Sequence, residues 1–254
     1  QLRQGITDPT VTYPDYYQVP FHAYDAGNLC WLAAFETEPA TYAMALRVWP
    51  KEVLSAQEAQ DRLRSSFHHI LGQYCNPIVR DYLDVGCSIG ISTEYLHRYL
   101  QQRQAQSGVA VQTTGLDLSD YMLSVAKYRD QRQEINWVHG LAESTKFADD
   151  RFDLVTLQFV LHELPQHATR NIFQEIYRIL QPGGYLAITD NNPRSTVIQN
   201  LPPVLFTLMK STEPWSDEYY TFDVEGTLID LGFEHCTTQA SDPRHRTIIA
   251  RKPS

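Results

Sequence analysis

The chain has 254 residues, of which 43% are hydrophobic and 20% charged, enough apolar mass for a packed core. Its formal net charge of −9 argues against nucleic acid as the main partner, since phosphate binding wants a basic face. No apolar run approaches the roughly 20 residues of a membrane span.

The four cysteines (Cys30, Cys75, Cys87, Cys236) form neither a C-x-x-C pair nor a metal spacing. They read as reduced, buried thiols. With no signal peptide in view, the expected location is the cytoplasm. Residues 1 to about 26 are turn-rich and aromatic, with Tyr13, Tyr16, Tyr17, Phe21 and Tyr24 punctuated by Pro14 and Pro20, as in a segment draped over a surface. From Gly27 to Trp49 the pattern is helical and broken at Pro39, which predicts an apolar hairpin carrying Trp31, Phe35, Tyr42, Leu46 and Trp49. Ser55 and Glu58 form a capping box for a further helix to about Tyr74. Residues 1–75 are thus expected to form an aromatic-rich helical unit, either a cap over a site or extra core.

Residues 81–90 read DYLDVGCSIG. An apolar strand that breaks at Gly86 and again at Gly90, then turns into a helix from Ile91, is the first βα unit of an open α/β sheet. Ligands bind outside the carboxyl ends of such strands, which puts Asp84, Gly86, Ser88 and Gly90 where a cofactor sits. The dinucleotide spacing G-x-G-x-x-G is missing, which argues against a nicotinamide dehydrogenase. A carboxylate just before the turn suits an ammonium better than a phosphate. A second strand ends at Asp117, placed to accept both ribose hydroxyls of an adenosine. Leu118 follows, and Ser119 caps the next helix.

Strand three, Ile135 to Gly140, leads into Leu141, Ala142 and Glu143. Strand four runs from Phe152 to Val160 through Gln158 and Phe159, and His162 and Glu163 come just past its end. A helix with Ala168, Ile172 and Ile176 on one face follows, then a tight turn Gln181-Pro182-Gly183-Gly184 into strand five, Tyr185 to Thr189. Residues 191–221 form an insertion containing Pro202, Pro203, Phe206, Met209, Trp215, Tyr219 and Tyr220. A helix Val224 to Leu231 stops at Gly232, and Glu234 to Thr238 with Thr247 to Arg251 make a closing antiparallel pair.

The pattern Asp84-x-Gly86-x-Ser88-x-Gly90 resembles the first motif of class I S-adenosylmethionine-dependent methyltransferases, with Ser88 in place of the middle glycine. Asp117 matches the ribose-binding acidic residue of that family. Leu141 replaces the Asp of its usual Asp-Ala pair, and Ala142 keeps the small residue. The strand led by Phe152-Asp153 and the Leu-x-Pro-Gly-Gly run from Leu180 to Gly184 resemble the small-molecule branch. That branch includes the ubiquinone and menaquinone biosynthesis methyltransferases. The resemblance covers about residues 76–252, with the motifs in the family's order.

The resemblance implies a Rossmann-like, mostly parallel sheet of seven strands, the last antiparallel, with a helical cap at residues 1–75. It also implies methyl transfer from S-adenosylmethionine to a small, apolar or aromatic acceptor, without a metal. The implied cofactor contacts are Asp84, Gly86, Cys87, Ser88, Gly90, Asp117, Leu118, Leu141, Ala142, Glu143, Gln158 and Phe159. Asp84 would reach the methionine ammonium directly or through water. The implied acceptor wall is Tyr17, Trp31, His162, Trp215 and Tyr219, with His162 either a general base or a helix-capping residue. A nucleotide-modifying enzyme would carry an Asn/Asp-Pro-Pro-aromatic turn where this chain has Gln158-Phe159-Val160-Leu161. A non-catalytic protein that kept the fold is the other alternative.

Overall fold

In the computed structural model, which describes residues 3–254, the chain is built around β1 (Asp81–Val85). Tyr82 to Val85 are buried, as befits a strand with neighbours on both sides and helices on both faces. β2 (Gln112–Asp117) and β4 (Phe152–Gln158) flank it in parallel register, with Val85 opposite Leu116 on one side and Leu157 on the other. β3 (Ile135–His139) extends the sheet beyond β2, and β5 (Leu180–Asn191) lies beyond β4. β6 (Glu234–Ala240) and β7 (His245–Arg251) close it antiparallel. The order is β3-β2-β1-β4-β5-β7-β6, so the last strand in the chain is inserted between β5 and β6. This is the Rossmann-like, mostly parallel sheet of seven strands with its last strand antiparallel that the sequence leads one to expect.

Three crossover helices link the parallel strands: α3 (Ile91–Arg103), α4 (Asp120–Arg129) and α5 (Gln166–Ile179). α5 buries Ala168, Ile172, Phe173, Ile176 and Ile179, a stripe at helical spacing that packs against Leu157, Leu186 and Ile188 in the main core. Short helices fill the interval after β5: α6 (Thr196–Gln199), α7 (Pro203–Thr212) and α8 (Ser216–Thr221), followed by α9 (Val224–Asp230). The side chain of Met209, named above in this interval, lies outside the described residues.

Residues 31–46 form one continuous helix, α1 (Trp31–Leu46), where Pro39 had predicted a hairpin. An internal proline removes one backbone hydrogen bond and crowds the carbonyl four residues back. Here both flanking halves are anchored. Ala33 and Ala34 pack with Ile89, Ile91 and Met122, and Ala45 packs with Val48, Ala59 and Leu63. α2 (Ala56–Tyr74) starts at the predicted capping box, with the Ser55 hydroxyl and the Glu58 carboxylate each serving the other's backbone.

The Pro-Gly-Gly run is a bulge within β5 and not a separate turn. Leu180 pairs with Phe152 and Tyr185 with Leu154, so four residues loop out opposite Asp153. Two of the four thiols, Cys30 and Cys236, are only partly buried, where all four were expected inside. Among the described residues no helix is long and apolar enough to cross a membrane.

Candidate active site

The β1–α3 loop has a left-handed backbone at Gly86 (φ 71°), Ser88 (φ 51°) and Gly90 (φ 82°). Neighbours explain why two of these are glycines. A Cβ on Gly86 would lie 2.7 Å from Val160, and one on Gly90 would lie 2.4 Å from the indole of Trp137. Ser88 holds the same conformation with a side chain, at a cost of about 1–2 kcal/mol. Its amide is tied to Asp117 Oδ2 at 2.7 Å, which offsets that strain. Gly90→Ala should lose roughly 1–3 kcal/mol through overpacking against Trp137, on top of the backbone strain. Urea melts check this, and a loss under about 0.5 kcal/mol would mean that the indole moves aside freely.

Asp117 closes β2 and takes two backbone donors: the Ser88 amide on one oxygen and the Ser119 amide at 2.8 Å on the other. Each oxygen keeps a lone pair for a further donor. Burial lifts this carboxyl to about 6, with the two amides pulling the other way. Asp84 sits one layer deeper. Its oxygens accept from Thr93 Oγ1 and Thr156 Oγ1, each at 2.6 Å, and from Gln158 Nε2 at 3.4 Å. Burial raises its pKa, opposed by those hydrogen bonds.

At the ends of β4 and β5 a second group of charges gathers. His162 Nδ1 lies 2.7 Å from Asp190 Oδ1. Burial works against the imidazolium, but Asp190 next to it, with Glu213 and Glu163 beyond, pushes His162 up to about 10. An imidazole at that value keeps its proton at neutral pH. The expectation of a free base at an ordinary histidine pKa therefore meets a partner that the sequence reading left out. Glu163, the next residue, is raised to about 8, first by burial. The His162 charge opposes this, while Glu213, Asp117 and Asp190 add to it. Asn28 donates to Glu163 from 3.3 Å, and His22 Nε2 lies 4.0 Å from Glu163 and 3.9 Å from Glu213. Burial, helped by the His162 charge, lowers His22 to about 4 and so keeps it neutral.

His22 is placed by a tight turn. Phe21 and Tyr24 form an isolated bridge, and His22 and Ala23 both have positive φ (49° and 66°) between them. The His22 amide donates to the Thr212 carbonyl at 2.8 Å, and Trp215 Nε1 donates to the Tyr16 carbonyl at 3.2 Å. The amino-terminal segment and the interval after β5 are thus tied over the strand ends. Beneath them lies a cavity of about 1030 Å³, reached from one side by Gly86, Ser88 and Asp117 and from the other by His22, Glu163 and Glu213.

Residues 83–188 match the family model described as a methyltransferase domain. The chain carries a methyltransferase domain. It is 34% identical over 152 residues to the uncharacterized methyltransferase sll0829 of Synechocystis sp., covering 59% of this chain and 65% of that protein. It is 37% identical over 82 residues to a demethylmenaquinone methyltransferase of Listeria welshimeri, covering 31% and 34%. The chain therefore spans less than two thirds of the length of either relative. In structure it resembles Haemonchus contortus phosphoethanolamine N-methyltransferase 2, solved with phosphomonomethylethanolamine and S-adenosylhomocysteine. The TM-score is 0.59 at 17% identity, over 90% of this chain and 60% of that one, a likeness of fold.

The methyltransferase domain, with the segments before and after it, brings most of the expected residues to the cavity. Gly86, Cys87, Ser88, Asp117, Leu118, Ala142, Glu143, Gln158, Phe159, His162, Tyr17 and Trp215 line it. Asp84, Gly90, Leu141, Trp31 and Tyr219 do not. Asp84 acts from behind Gln158, and Gly90 is packed under Trp137. Trp31 is spent on Phe35 and Tyr121, stacking on one and meeting the other edge-on. Tyr219 is core, and its hydroxyl donates to the Asn191 carbonyl. Glu143 is engaged by the Tyr16 hydroxyl.

Five residues outside that domain were not marked by the sequence: His22, Asn28, Arg64 and Glu213 line the cavity, and Asp190 pairs with His162. For Asp190 a signal was available, since it is an acidic residue near the end of a buried strand, like Asp117. Among the described residues no group of three or more His, Cys, Asp or Glu is placed to hold a metal ion.

Proposed function

We propose that the protein transfers a methyl group from S-adenosylmethionine to a small acceptor with an apolar or aromatic body. The observation that carries this reading is one cavity that joins the Gly86–Ser88 loop and Asp117 to the Glu163 and His162 cluster. Its volume of about 1030 Å³ leaves room for a cofactor and an acceptor together. The residues fit such a cofactor: Asp117 has lone pairs to spare for ribose hydroxyls, and Gln158 Oε1 is a buried acceptor with no partner.

When bound, the cofactor supplies a methyl carbon on a positively charged sulfur. Asp117 would hold the ribose, and Ala142 with Glu143 would frame the adenine, Glu143 being fixed by Tyr16. Gln158 and Phe159 line the passage toward the acceptor. Glu163, rather than His162, would take the acceptor's proton, because His162 is held protonated by Asp190. Phe21, Val19, Leu201, Leu205 and Leu208 give the acceptor end its apolar wall. Residues 1–75 and 191–221 would act as the cap that keeps water out. The Listeria relative, a demethylmenaquinone methyltransferase, agrees with an aromatic acceptor.

Calorimetric titration tests the reading. S-adenosylmethionine and S-adenosylhomocysteine should bind, and nicotinamide dinucleotides should bind far more weakly or not at all. Tighter binding of a nicotinamide dinucleotide would overturn it. Formation of S-adenosylhomocysteine with an acceptor separates an enzyme from a protein that only binds the cofactor.

A further inference from the structure

The strand order sets the functional groups out in a row along the carboxyl ends of the sheet. Asp117 ends β2, Gly86 follows β1, Glu163 comes just past β4, and Asn191 ends β5 opposite His245 at the start of β7. The turn between β6 and β7 therefore stands at the end of the row farthest from Asp117. Arg244 is the last residue of that turn, and it lines the cavity together with Asn191 and Glu213.

The turn fixes Arg244 through its backbone. Its amide donates to Asp242 Oδ1 at 2.8 Å, and its carbonyl accepts from the Asn192 amide at 2.9 Å. The side chain has no such tie. Arg244 is part-buried, its Nε is buried with no hydrogen-bond partner, and among the described residues no carboxylate forms an ion pair with it. The carboxylates at this end of the cavity are engaged elsewhere. Asp242 accepts from the His245 amide and lies 2.9 Å from His245 Nδ1, and Asp190 is paired with His162. Glu213 feels the Arg244 charge without an ion-pair contact, and its short approach is to His22 Nε2 at 3.9 Å. A part-buried guanidinium left without a partner is costly, and its planar fork of donors matches a carboxylate.

Charge and distance narrow the ligand. A single guanidinium balances a single negative charge, and Glu213 on the same wall repels a dianion. Between Glu163 beyond β4 and Arg244 before β7 lie two strand spacings, about 10 Å. One aromatic ring with a short acidic arm spans such a length, and Phe21, Leu201 and Leu205 supply an apolar wall for it.

We propose that Arg244, with Asn191 beside it, is a carboxylate-recognition site, and that the acceptor is an aromatic or apolar monocarboxylic acid. This rests on the function proposed above and names the substrate class of the same cavity. With the acid group held at β7, the opposite end of the acceptor meets Glu163. The methyl group therefore goes to an atom away from the carboxylate, and the product keeps its free acid.

The test uses 4-hydroxycinnamate and 4-hydroxycinnamamide, which share ring, hydroxyl and length and differ in charge. 3-Phenylpropanoate and its amide repeat the contrast without the hydroxyl. On protein saturated with S-adenosylhomocysteine, calorimetry should show each acid binding at least roughly tenfold more tightly than its amide. Arg244→Gln should remove that preference by weakening the acids alone, and Arg244→Lys should fall between. S-adenosylhomocysteine affinity should match wild type in both variants, which shows that they are folded. Phenyl phosphate should bind more weakly than the acids.

Acids that bind no more tightly than their amides, or a preference that survives in Arg244→Gln, would overturn the site and leave the proposed function standing. Tighter binding of phenyl phosphate would overturn the monocarboxylate class. An equal loss for S-adenosylhomocysteine in Arg244→Gln would reduce Arg244 to a structural role. Wild type that fails to bind S-adenosylhomocysteine would remove the cofactor reading and this inference together.

Discussion

Asp117→Ala is expected to weaken S-adenosylhomocysteine binding by at least roughly a hundredfold. Two charge-assisted hydrogen bonds to the ribose would go, each worth about 1.5–3 kcal/mol, and every 1.4 kcal/mol is about tenfold. The Ser88 and Ser119 amides lose their acceptor as well, so the loop that shapes the site loosens and the melting temperature falls. Asp117→Asn keeps one acceptor and presents an N–H where a second acceptor is needed, so it should lie between.

The pH dependence has two opposite parts. Folding raises this carboxyl from 3.8 to about 6, so its contribution to stability is full below about 4 and is lost as pH rises through 6. Cofactor affinity runs the other way, because only the ionised carboxylate accepts both hydroxyls. It should fall as pH drops below about 6. Calorimetry across pH 5 to 8 checks both the mutant and the trend, and unchanged affinity in Asp117→Ala would remove the ribose assignment.

Glu163→Gln is expected to lower turnover by a factor on the order of a hundred or more while cofactor affinity stays as in wild type. The groups facing Glu163 are His162 beside it, Glu213 from the end of α7, Asp117 from β2, Asp190 from β5, and His22 and Asn28 from the amino-terminal segment. Their balance leaves Glu163 mostly protonated below about 8. The rate should therefore rise with pH to a half-maximum near that value. His162→Gln should behave differently. It strands a buried Asp190, which costs about 3–5 kcal/mol of stability. The residual activity should keep an inflection, moved above 8 because the His162 charge that holds Glu163 down is gone. An inflection that disappears in His162→Gln and survives in Glu163→Gln would return the base to His162.

The parts of the fold that were legible in the chain are those in which adjacent residues fix a local conformation. Gly86 and Gly90 mark a left-handed turn at the end of a buried run, Ser55 and Glu58 close a capping box, and Asp117 ends a strand. What escaped depends on partners distant in sequence. Pro39 reads as a helix break, and only the packing of Ala33, Ala34 and Ala45 against other elements keeps α1 whole. His162 looks like an ordinary imidazole until Asp190, on another strand, is beside it. Arg64 sits on a stripe that periodicity assigns to the core, and a polar residue there is visible as an exception only once the cavity is known. Trp31 and Tyr219 were drawn toward the site by their residue type, but their rings are used elsewhere.

The placement of β7 between β5 and β6 has a consequence for the chain while it is being made. The outer edge of β5 is complete at residue 191, but its partner is the last of this sheet's seven strands in chain order, residues 245–251. Until that strand emerges, a buried run from Leu186 to Asp190 has one row of backbone groups with nothing to pair with. β6, made earlier, has no place of its own in the sheet, because it pairs only with β7. The nascent protein therefore carries an open, apolar sheet edge through the synthesis of more than fifty residues, a stretch in which a holding chaperone has a strand to bind and a second nascent chain has one to steal.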